Sequence, residues 1–371
     1  MAAIDAGEDR AHMARAVAVA ERARRVSSPN PAVGCVLVRD HEIVAEAATD
    51  RVGGPHAEAR ALADAGERAG GATAYVTLEP CAHTGRTPPC ADALHTAGVA
   101  RVVYGADDPN PQARGGAEVL RDAGVRVDGG VLAPWVEAQL EGFVTTVTRG
   151  RPHVTLKLAH TLDGRLAPAA GEVRADDVEP RRWVTGRLAR RAVHRWRAAV
   201  DGVLVGSGTV LADDPRLDVR HVAAVGGQPR AIVLDGRLRT PPEAAVARPG
   251  TLVLTGPDAH PDDRAALEAV GVEVHAVPCG HDGHLDLPAA LARLADLGIT
   301  SVLAEPGIRL ATALVAADVV DRLVCHVAPD LGAAPLTLPV PTGPDWRVER
   351  LGAAGADLVL HLLPPCDTKE P

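Results

Sequence analysis

Apolar positions in the first third of the chain change repeatedly between helical and strand spacing. Met13, Val17 and Ala20 share one face of a helix predicted over residues 10–25. Strands and further helices then alternate, which is typical of a sheet covered by helices. The predicted strands are 33–38, 43–47, 74–78, 101–104 and 125–127, and the predicted helices follow His56, begin near Cys90 and span 117–123. We therefore expect an α/β fold.

A second unit with the same alternation follows a boundary region at 129–152. Gly129-Gly130 ends the first unit, and Arg149-Gly150-Arg151-Pro152 is typical of a turn into a new strand. The predicted strands are 153–159, 202–206, 230–235, 251–255, 272–277, 301–304, 322–328 and 357–362, with helices at 186–199, 262–270, 288–297 and 309–317. A chain of 371 residues is long enough for two cores, so we predict domains over 1–149 and 150–371.

Charge and composition narrow the class of protein. A net charge of −9 and only seven aromatic residues argue against nucleic acid as a partner. Six cysteines in so long a chain do not indicate a disulfide framework. The first residues lack the apolar core of a signal peptide, and no apolar run reaches the roughly 18 residues of a membrane span. We expect a cytoplasmic enzyme that acts on a small molecule without a membrane partner, and a homo-oligomer is compatible with the sequence.

One histidine and two cysteines indicate a metal site. His56 precedes a helical run, Cys81 follows an apolar strand, and Cys90 begins a helix behind Pro88-Pro89. An imidazole and two thiolates are ligands that suit zinc, and three protein ligands leave the fourth tetrahedral position for water. Each piece alone has a plainer explanation, because His-x-Glu often begins a solvated helix and cysteine is often a small buried apolar residue. The combination predicts a catalytic zinc site, although His83 is a candidate fourth ligand that would close it.

Glu58 follows His56 by two residues and supplies the acid–base group. Zinc lowers the pKa of bound water toward neutrality, and a nearby carboxylate can take the proton and deliver it elsewhere. Zinc, water and a carboxylate together replace an amino group of a heterocycle with oxygen. The first domain is therefore predicted to be a hydrolytic deaminase.

The second domain offers weaker signals. Residues 203–209 form an apolar strand that runs into a glycine-rich turn, which suits close approach of a phosphate or ribose but is also a common structural turn. Lys157, Asp163 and Glu305 are the other polar candidates, and Arg197 and Arg220 could hold a phosphate by bidentate pairing. These residues by themselves predict only a ligand-binding domain.

The motifs of both domains resemble a known family, the bifunctional deaminase/reductases of riboflavin biosynthesis. An eight-residue loop between the cysteines, ending in Thr87-Pro88-Pro89-Cys90, is typical of this family, whereas most deaminases of the fold have Cys-x-x-Cys. The matching segments are Pro29 to Gly34, His56-Ala57-Glu58, Thr77 to Cys90, Asp108 to Pro111, Lys157 to Gly164, Trp183-Val184-Thr185, Ala189-Arg190-Arg191 and Val205 to Pro215. They cover nearly the whole chain.

The resemblance implies a cytidine-deaminase-like three-layer α/β domain followed by a dihydrofolate-reductase-like α/β domain that uses NADPH. The implied substrate is a pyrimidine with a ribosylamine 5-phosphate, deaminated by the first domain and reduced from ribosyl to ribityl by the second. The implied pyrimidine and phosphate contacts in the first domain are Asn30, His83 and Arg86. The implied NADPH contacts are His160, Trp183, Thr209, Asp213 and Gly307, and the implied substrate contacts in the second domain are Lys157, Arg197, Leu217, Arg220 and Glu305.

The chain departs from the family pattern at three places. Ten residues, 173–182, separate Gly171-Glu172 from Trp183, and Arg181 replaces a serine. The turn after Glu305 begins with Pro306, where glycine is usual, and Thr49 replaces a histidine seven residues before His56. The first two departures put the efficiency of the reductase in question.

Three rival functions remain. They are a deaminase with an inactive reductase domain, a zinc-stapled ligand-binding protein without catalysis, and a deaminase of nucleosides or nucleic acid, which should have a Cys-x-x-Cys pair and a basic face that this sequence lacks.

Overall fold

The computed structural model describes residues 6–83, 88–166, 183–331 and 346–365. The chain divides into two compact units, Met1–Arg151 and Pro152–Pro371. Each unit has its own buried apolar clusters. None of the described helices is both long and apolar enough to cross a membrane.

The described strands of the first unit form a five-stranded sheet in the order β2-β1-β3-β4-β5. β1 pairs antiparallel with β2 and β3, while β3, β4 and β5 are parallel. In chain order the elements are α1 (Ala6–Ala20), β1 (Gly34–Arg39), β2 (Glu42–Ala48), α2 (Ala57–Ala65), β3 (Thr73–Leu78), α3 (Cys90–Thr96), β4 (Arg101–Ala106), α4 (Gly116–Asp122), β5 (Arg126–Asp128) and α5 (Ala133–Arg149). The predicted elements are confirmed, although α1 begins and ends several residues earlier than expected.

Alternate side chains of the central strands bury against helices on opposite faces of this sheet. Val36 and Tyr75 pack in one cluster with Met13 of α1. Cys35 and Val76, their neighbours along the same strands, pack in another cluster with side chains of α2, α3 and α4. The period of two along each strand therefore produces the expected three layers.

The described strands of the second unit form a nine-stranded sheet in the order β10-β9-β8-β7-β11-β6-β12-β14-β13. Its elements are β6 (His153–Thr161), α6 (Arg187–Arg197), β7 (Gly202–Gly206), α7 (Ser207–Asp213), β8 (Arg230–Leu234), β9 (Leu252–Thr255), α8 (Pro261–Ala269), β10 (Glu273–Ala276), α9 (Leu287–Asp296), β11 (Ser301–Ala304), α10 (Ile308–Ala316), β12 (Arg322–Ala328), β13 (Arg347–Ala354) and β14 (Asp357–Leu363). The strands from β10 to β12 are parallel, and β14 and β13 continue the sheet antiparallel. Continuous apolar runs form the central strands because both faces of a parallel sheet are covered.

Two features of the second unit differ from the sequence-based expectations. The glycine-rich segment after β7 is a helix and not a turn: Gly206 is extended, and α7 begins at the next residue. β13 was not predicted, because its side chains are almost all exposed and its sequence contains several charges instead of an apolar run. Among the described strands it pairs with β14 alone, at the edge of the sheet.

Candidate active sites

Three elements of the first unit bring the predicted metal ligands together. His56 is the residue before α2, Cys81 lies in the loop after β3, and Cys90 is the first residue of α3. His56 Nδ1 is 3.2 Å from Cys90 Sγ and 3.7 Å from Cys81 Sγ. Zinc with ordinary bond lengths and tetrahedral angles would separate such nitrogen and sulfur atoms by roughly 3.6 Å. The cluster therefore has the size and the donor atoms that zinc requires.

His83 does not join this cluster. It is exposed, and the described residues contain a single group of histidine, cysteine or acidic side chains placed to share a metal, namely His56, Cys81 and Cys90. Three ligands leave a fourth position for a small molecule. The side chain of Asn30 is near the surface, where its backbone N–H donates to Ser27 O at 2.8 Å. Arg86 lies outside the described residues.

The two thiols are electrostatically unequal. A hydrogen bond from the Cys90 thiol lowers the pKa of Cys81 to about 4. Burial opposes this shift, whereas His56 and the backbone N–H of Cys90 add to it. The same interaction with Cys81, together with burial, raises the pKa of the Cys90 thiol. The site without metal thus favours a thiolate at Cys81, one of the two thiolates that zinc would bind.

Glu58 lies beside the cluster on the first turn of α2 and is only 4% exposed. Burial raises the pKa of this carboxyl group, which also has an interaction with Cys90. A carboxyl group that holds its proton more readily than usual is suited to move a proton between water and a heterocycle. The geometry therefore fits the predicted acid–base role.

A buried carboxylate that the sequence interpretation missed holds the loop around Cys81. Glu79 accepts hydrogen bonds from the backbone N–H groups of Gly115 at 3.0 Å, Ala117 at 3.1 Å and Asp108 at 3.3 Å. These bonds fix the start of α4 and the turn that follows β4 next to the metal cluster. An acidic residue between an apolar strand and Pro80 was the available signal, because such a charge is buried only when it has partners.

The second unit contains a cleft of about 1400 Å³ that includes most of the predicted reductase residues. Thr209 and Asp213 of α7 line it from one side, and Gly307 lies close by, with its N–H donating to Thr209 Oγ1 at 3.2 Å. The other predicted residues in the lining are Lys157, Trp183, Arg197, Arg220 and Glu305. Elements distant in sequence thus assemble one site.

An ion pair lies within this cleft. Arg197 binds Glu305 through two bonds, Nε to Oε1 at 2.7 Å and Nη2 to Oε2 at 3.1 Å, and donates from Nη1 to Asp218 O at 3.0 Å. The net pKa of the Glu305 carboxyl group is lowered. Burial alone would raise it, but the positive charges of Arg197 and Lys157 outweigh the effect of burial. Burial also lowers the pKa of Lys157, against the attraction of Glu305. The cleft therefore has a fixed carboxylate beside a lysine that is easier than usual to deprotonate.

Two predicted contacts have side chains outside the cleft lining. Leu217 packs into the apolar core and is 2% exposed, with a backbone φ of +53°. His160 is buried, and its Nδ1 is 2.8 Å from Thr161 O. A ligand in the cleft could meet these residues only through their backbone atoms, so their assignment stays a prediction.

Helix α6 supplies lining residues to which the sequence interpretation assigned no role. His194 accepts a hydrogen bond from the backbone N–H of Arg220 at 3.1 Å, and the guanidinium of Arg190 lies 5.7 Å from the ring centre of Trp183. Burial and the nearby Arg197 and Arg220 lower the pKa of His194. Arg187 and Arg191 also line the cleft. The available signal was the density of arginine on one helix, which resembles an ordinary solvated face.

Two protein families match the chain, one within each of the two units. Residues 6–106 match the cytidine and deoxycytidylate deaminase zinc-binding region. Residues 152–360 match the RibD C-terminal domain. The metal cluster lies in the first match and the cleft in the second.

Two relatives are similar to this chain over most of its length. The riboflavin biosynthesis protein RibD of Escherichia coli is 41% identical, over 96% of this chain and 99% of its own length. The corresponding protein of Aquifex aeolicus is 39% identical over 87% of both chains.

Two solved structures are also similar to this chain over 97% of its length. RibD of Acinetobacter baumannii has a TM-score of 0.83 and 35% identity, covering 97% of this chain and 99% of its own. A diaminohydroxyphosphoribosylaminopyrimidine deaminase/5-amino-6-(5-phosphoribosylamino)uracil reductase of Thermotoga maritima has a TM-score of 0.83 and 32% identity, covering 97% and 100%. The cytidine-deaminase-like and reductase folds predicted from the sequence are thereby confirmed. This chain belongs to the RibD family, the bifunctional deaminase/reductases of riboflavin biosynthesis.

Proposed function

We propose that the two units catalyse successive steps on one phosphorylated pyrimidine. The first removes the 2-amino group of 2,5-diamino-6-(5-phosphoribosylamino)pyrimidin-4(3H)-one by hydrolysis, and the second reduces the ribosyl chain of the product to ribityl. The observation that carries this proposal is the cluster of His56, Cys81 and Cys90 beside the buried Glu58. We assign the deaminase to residues 1–149 and the reductase to 150–371.

The deaminase step needs water, a proton carrier and a place for the pyrimidine. When bound, zinc supplies the acidity that makes water a nucleophile near neutral pH. Glu58 takes a proton from that water, delivers it to the ring nitrogen, and later returns a proton to the departing amino group. Water is consumed, ammonia is released, and a carbonyl replaces the amino group. We assign Asn30, His83 and Arg86 to hold the pyrimidine and its phosphate chain.

In the second unit NADPH supplies the hydride, and the protein orients cofactor and sugar. Trp183, Thr209, Asp213 and Gly307 are assigned to the cofactor, together with the backbone of His160. Lys157, Arg197, Arg220 and Glu305, with the backbone of Leu217, are assigned to the substrate. We assign to Lys157, which interacts with Glu305, the movement of a proton as the sugar ring opens for reduction.

The rival functions are less well supported. A reductase domain without activity has no reason to keep Lys157 beside the ion pair of Arg197 and Glu305 in a large cleft. A zinc-stapled binding protein has no use for a buried carboxyl group at Glu58.

We also propose that neither nucleic acid nor a membrane is a partner. Homo-oligomerisation and the cytoplasmic location stay predictions from the sequence.

A coupled assay on the purified chain tests the proposal. We expect about one zinc ion per chain, ammonia release from the diamino substrate, and NADPH oxidation that begins only after deamination. Cys81→Ser and Cys90→Ser should each lose most of the zinc and the ammonia release, whereas Cys279→Ser, a change at an exposed cysteine, should lose neither. Full zinc content in both ligand variants would contradict the metal assignment. Ammonia release without any NADPH oxidation would contradict the second step.

A further inference from the structure

The lining of the cleft in the second unit is strongly cationic. Among the described residues the lining contains six cationic side chains and two carboxylates, and the cations are Lys157, Arg187, Arg190, Arg191, Arg197 and Arg220. Three of the arginines follow one another within little more than a turn at the start of α6. Such a lining attracts and binds anions.

The arginines that the sequence indicates for phosphate binding already have partners. Arg197 uses Nε and both Nη atoms on Glu305 and on Asp218 O. Arg220 Nη1 is 3.3 Å from Asp218 Oδ1. Binding a phosphate through the bidentate geometry of Arg197 would break bonds to a buried carboxylate, which is costly. A phosphate dianion would therefore bind at lower cost to cationic side chains of the cleft that have no such partner.

Arg187 and Arg191 differ from these residues. Both are exposed, both line the cleft, and neither has a hydrogen bond or ion pair with the described part of the chain. They are four residues apart on α6, so their side chains are neighbours on the helix surface. Two like charges at this spacing repel each other, and an anion between them removes the repulsion.

We propose that Arg187 and Arg191 together form a binding site for a phosphate monoester at the rim of the cleft. The inference rests on the proposed function, because two phosphate monoesters would enter this cleft: the 2′-phosphate of NADPH and the 5-phosphate of the pyrimidine. A phosphate monoester carries close to two negative charges at neutral pH, and the guanidinium fork matches its oxygens. Both candidate ligands present the same chemical group, and kinetic measurements distinguish the phosphate of the cofactor from that of the pyrimidine.

The test compares Arg187→Ala/Arg191→Ala with Arg195→Ala in the zinc-loaded full chain. Arg195 is exposed on the same helix but does not line the cleft, so it is a control for the loss of a positive charge from this helix outside the site. KM and kcat are measured for NADPH and for the deaminated pyrimidine. The measurements are repeated with NADH, which lacks the 2′-phosphate.

The double variant should raise the KM of one substrate at least tenfold, because each charged hydrogen bond lost costs about a factor of ten or more, while kcat changes by less than about threefold. A KM increase for the cofactor that disappears with NADH identifies the 2′-phosphate. An increase for the pyrimidine that persists with NADH identifies the 5-phosphate. KM values that match those of Arg195→Ala, or a fall in kcat alone, would overturn the proposal.

A second measurement does not depend on the reductase reaction. Inorganic phosphate is added to each protein at constant ionic strength, and the thermal unfolding midpoint is followed. Phosphate should raise this midpoint more in the wild type and in Arg195→Ala than in the double variant. Equal shifts in all three proteins would overturn the site. A wild type that binds phosphate in this way but never oxidises NADPH would refute the proposed reduction and leave the phosphate site supported.

Discussion

At the scale of single residues, Glu58 separates metal binding from chemistry. It is buried beside the metal cluster, but its carboxylate is not among the grouped ligand atoms. Glu58→Gln keeps the shape of the side chain and removes its ability to accept and return a proton. We expect zinc content and thermal stability to be retained while the rate of ammonia release falls by roughly two to four orders of magnitude.

Zinc analysis and an ammonia assay on the same preparation check this prediction. Glu67→Gln, which changes an exposed carboxylate beyond the end of α2, is the control and should leave the rate unchanged. Rapid deamination by the Glu58 variant would show that another group carries the proton. Loss of zinc would show that the carboxylate supports the metal.

Loss of the ion pair between Arg197 and Glu305 should reduce both the stability of the second unit and its activity, unlike the change at Glu58. Their side chains are only 12% and 13% exposed, so removing one partner leaves the other charge poorly solvated. We expect Arg197→Met to destabilise the second unit by about 3 kcal/mol and to abolish most NADPH oxidation. Denaturant unfolding measures the first effect. If the double variant Arg197→Met/Glu305→Leu is no more stable than the single variant, the two side chains are not coupled.

At the scale of helices and strands, hydrophobic spacing predicted nearly all elements, because most of them bury one face or both. It failed for β13, whose side chains are exposed, and for α7, where small residues indicated a turn. Motif spacing predicted the three metal ligands and Glu58. It could not predict that Glu79 binds three backbone N–H groups, since those groups come from segments about 30 to 40 residues away.

The contact between α4 and the metal-ligand loop gives a prediction about packing. A Cβ atom at Gly116 would lie 1.8 Å from Pro80 O, and backbone cannot move aside as a flexible side chain can. Gly116→Ala should therefore destabilise the first unit by roughly 1–3 kcal/mol. Because Pro80 precedes Cys81, zinc should also pass faster to a chelator. Gly208→Ala, where the added methyl group meets no atom within 4 Å, is the control. Unchanged zinc release would separate this packing from the metal site.

At the scale of the whole molecule, two buried histidines link folding to pH. Burial, with Lys157 and His361, lowers the pKa of His326 to about 4. Burial, with Arg350 and Arg322, lowers the pKa of His361 to about 4. Both rings are neutral in the fold, whereas in the unfolded chain they take up protons near pH 6.5.

The unfolded chain therefore binds more protons between pH 6.5 and 4, and stability falls as the pH falls through that range. The loss is at most about 3 kcal/mol for each ring. Neither ring nitrogen of His326 has a hydrogen-bond partner among the described residues, so His326→Leu should remove its share without leaving a polar group unpaired. The unfolding midpoint, measured at pH 7, 6 and 5, should fall less steeply with decreasing pH in this variant than in the wild type. A slope identical to that of the wild type would contradict the assignment.

The last prediction concerns how the two units cooperate. Glu58 and the cleft lie in separate compact units, each with its own core, so loss of deamination should not disturb the reductase fold. Given the diamino substrate, Glu58→Gln should oxidise no NADPH. Given the deaminated product, it should oxidise NADPH at the wild-type rate. Mixing it with Glu305→Gln, which keeps the deaminase, should restore NADPH oxidation from the diamino substrate after a lag that shortens as the concentration of Glu305→Gln rises. NADPH oxidation by Glu58→Gln alone, from the diamino substrate, would show that reduction does not require prior deamination.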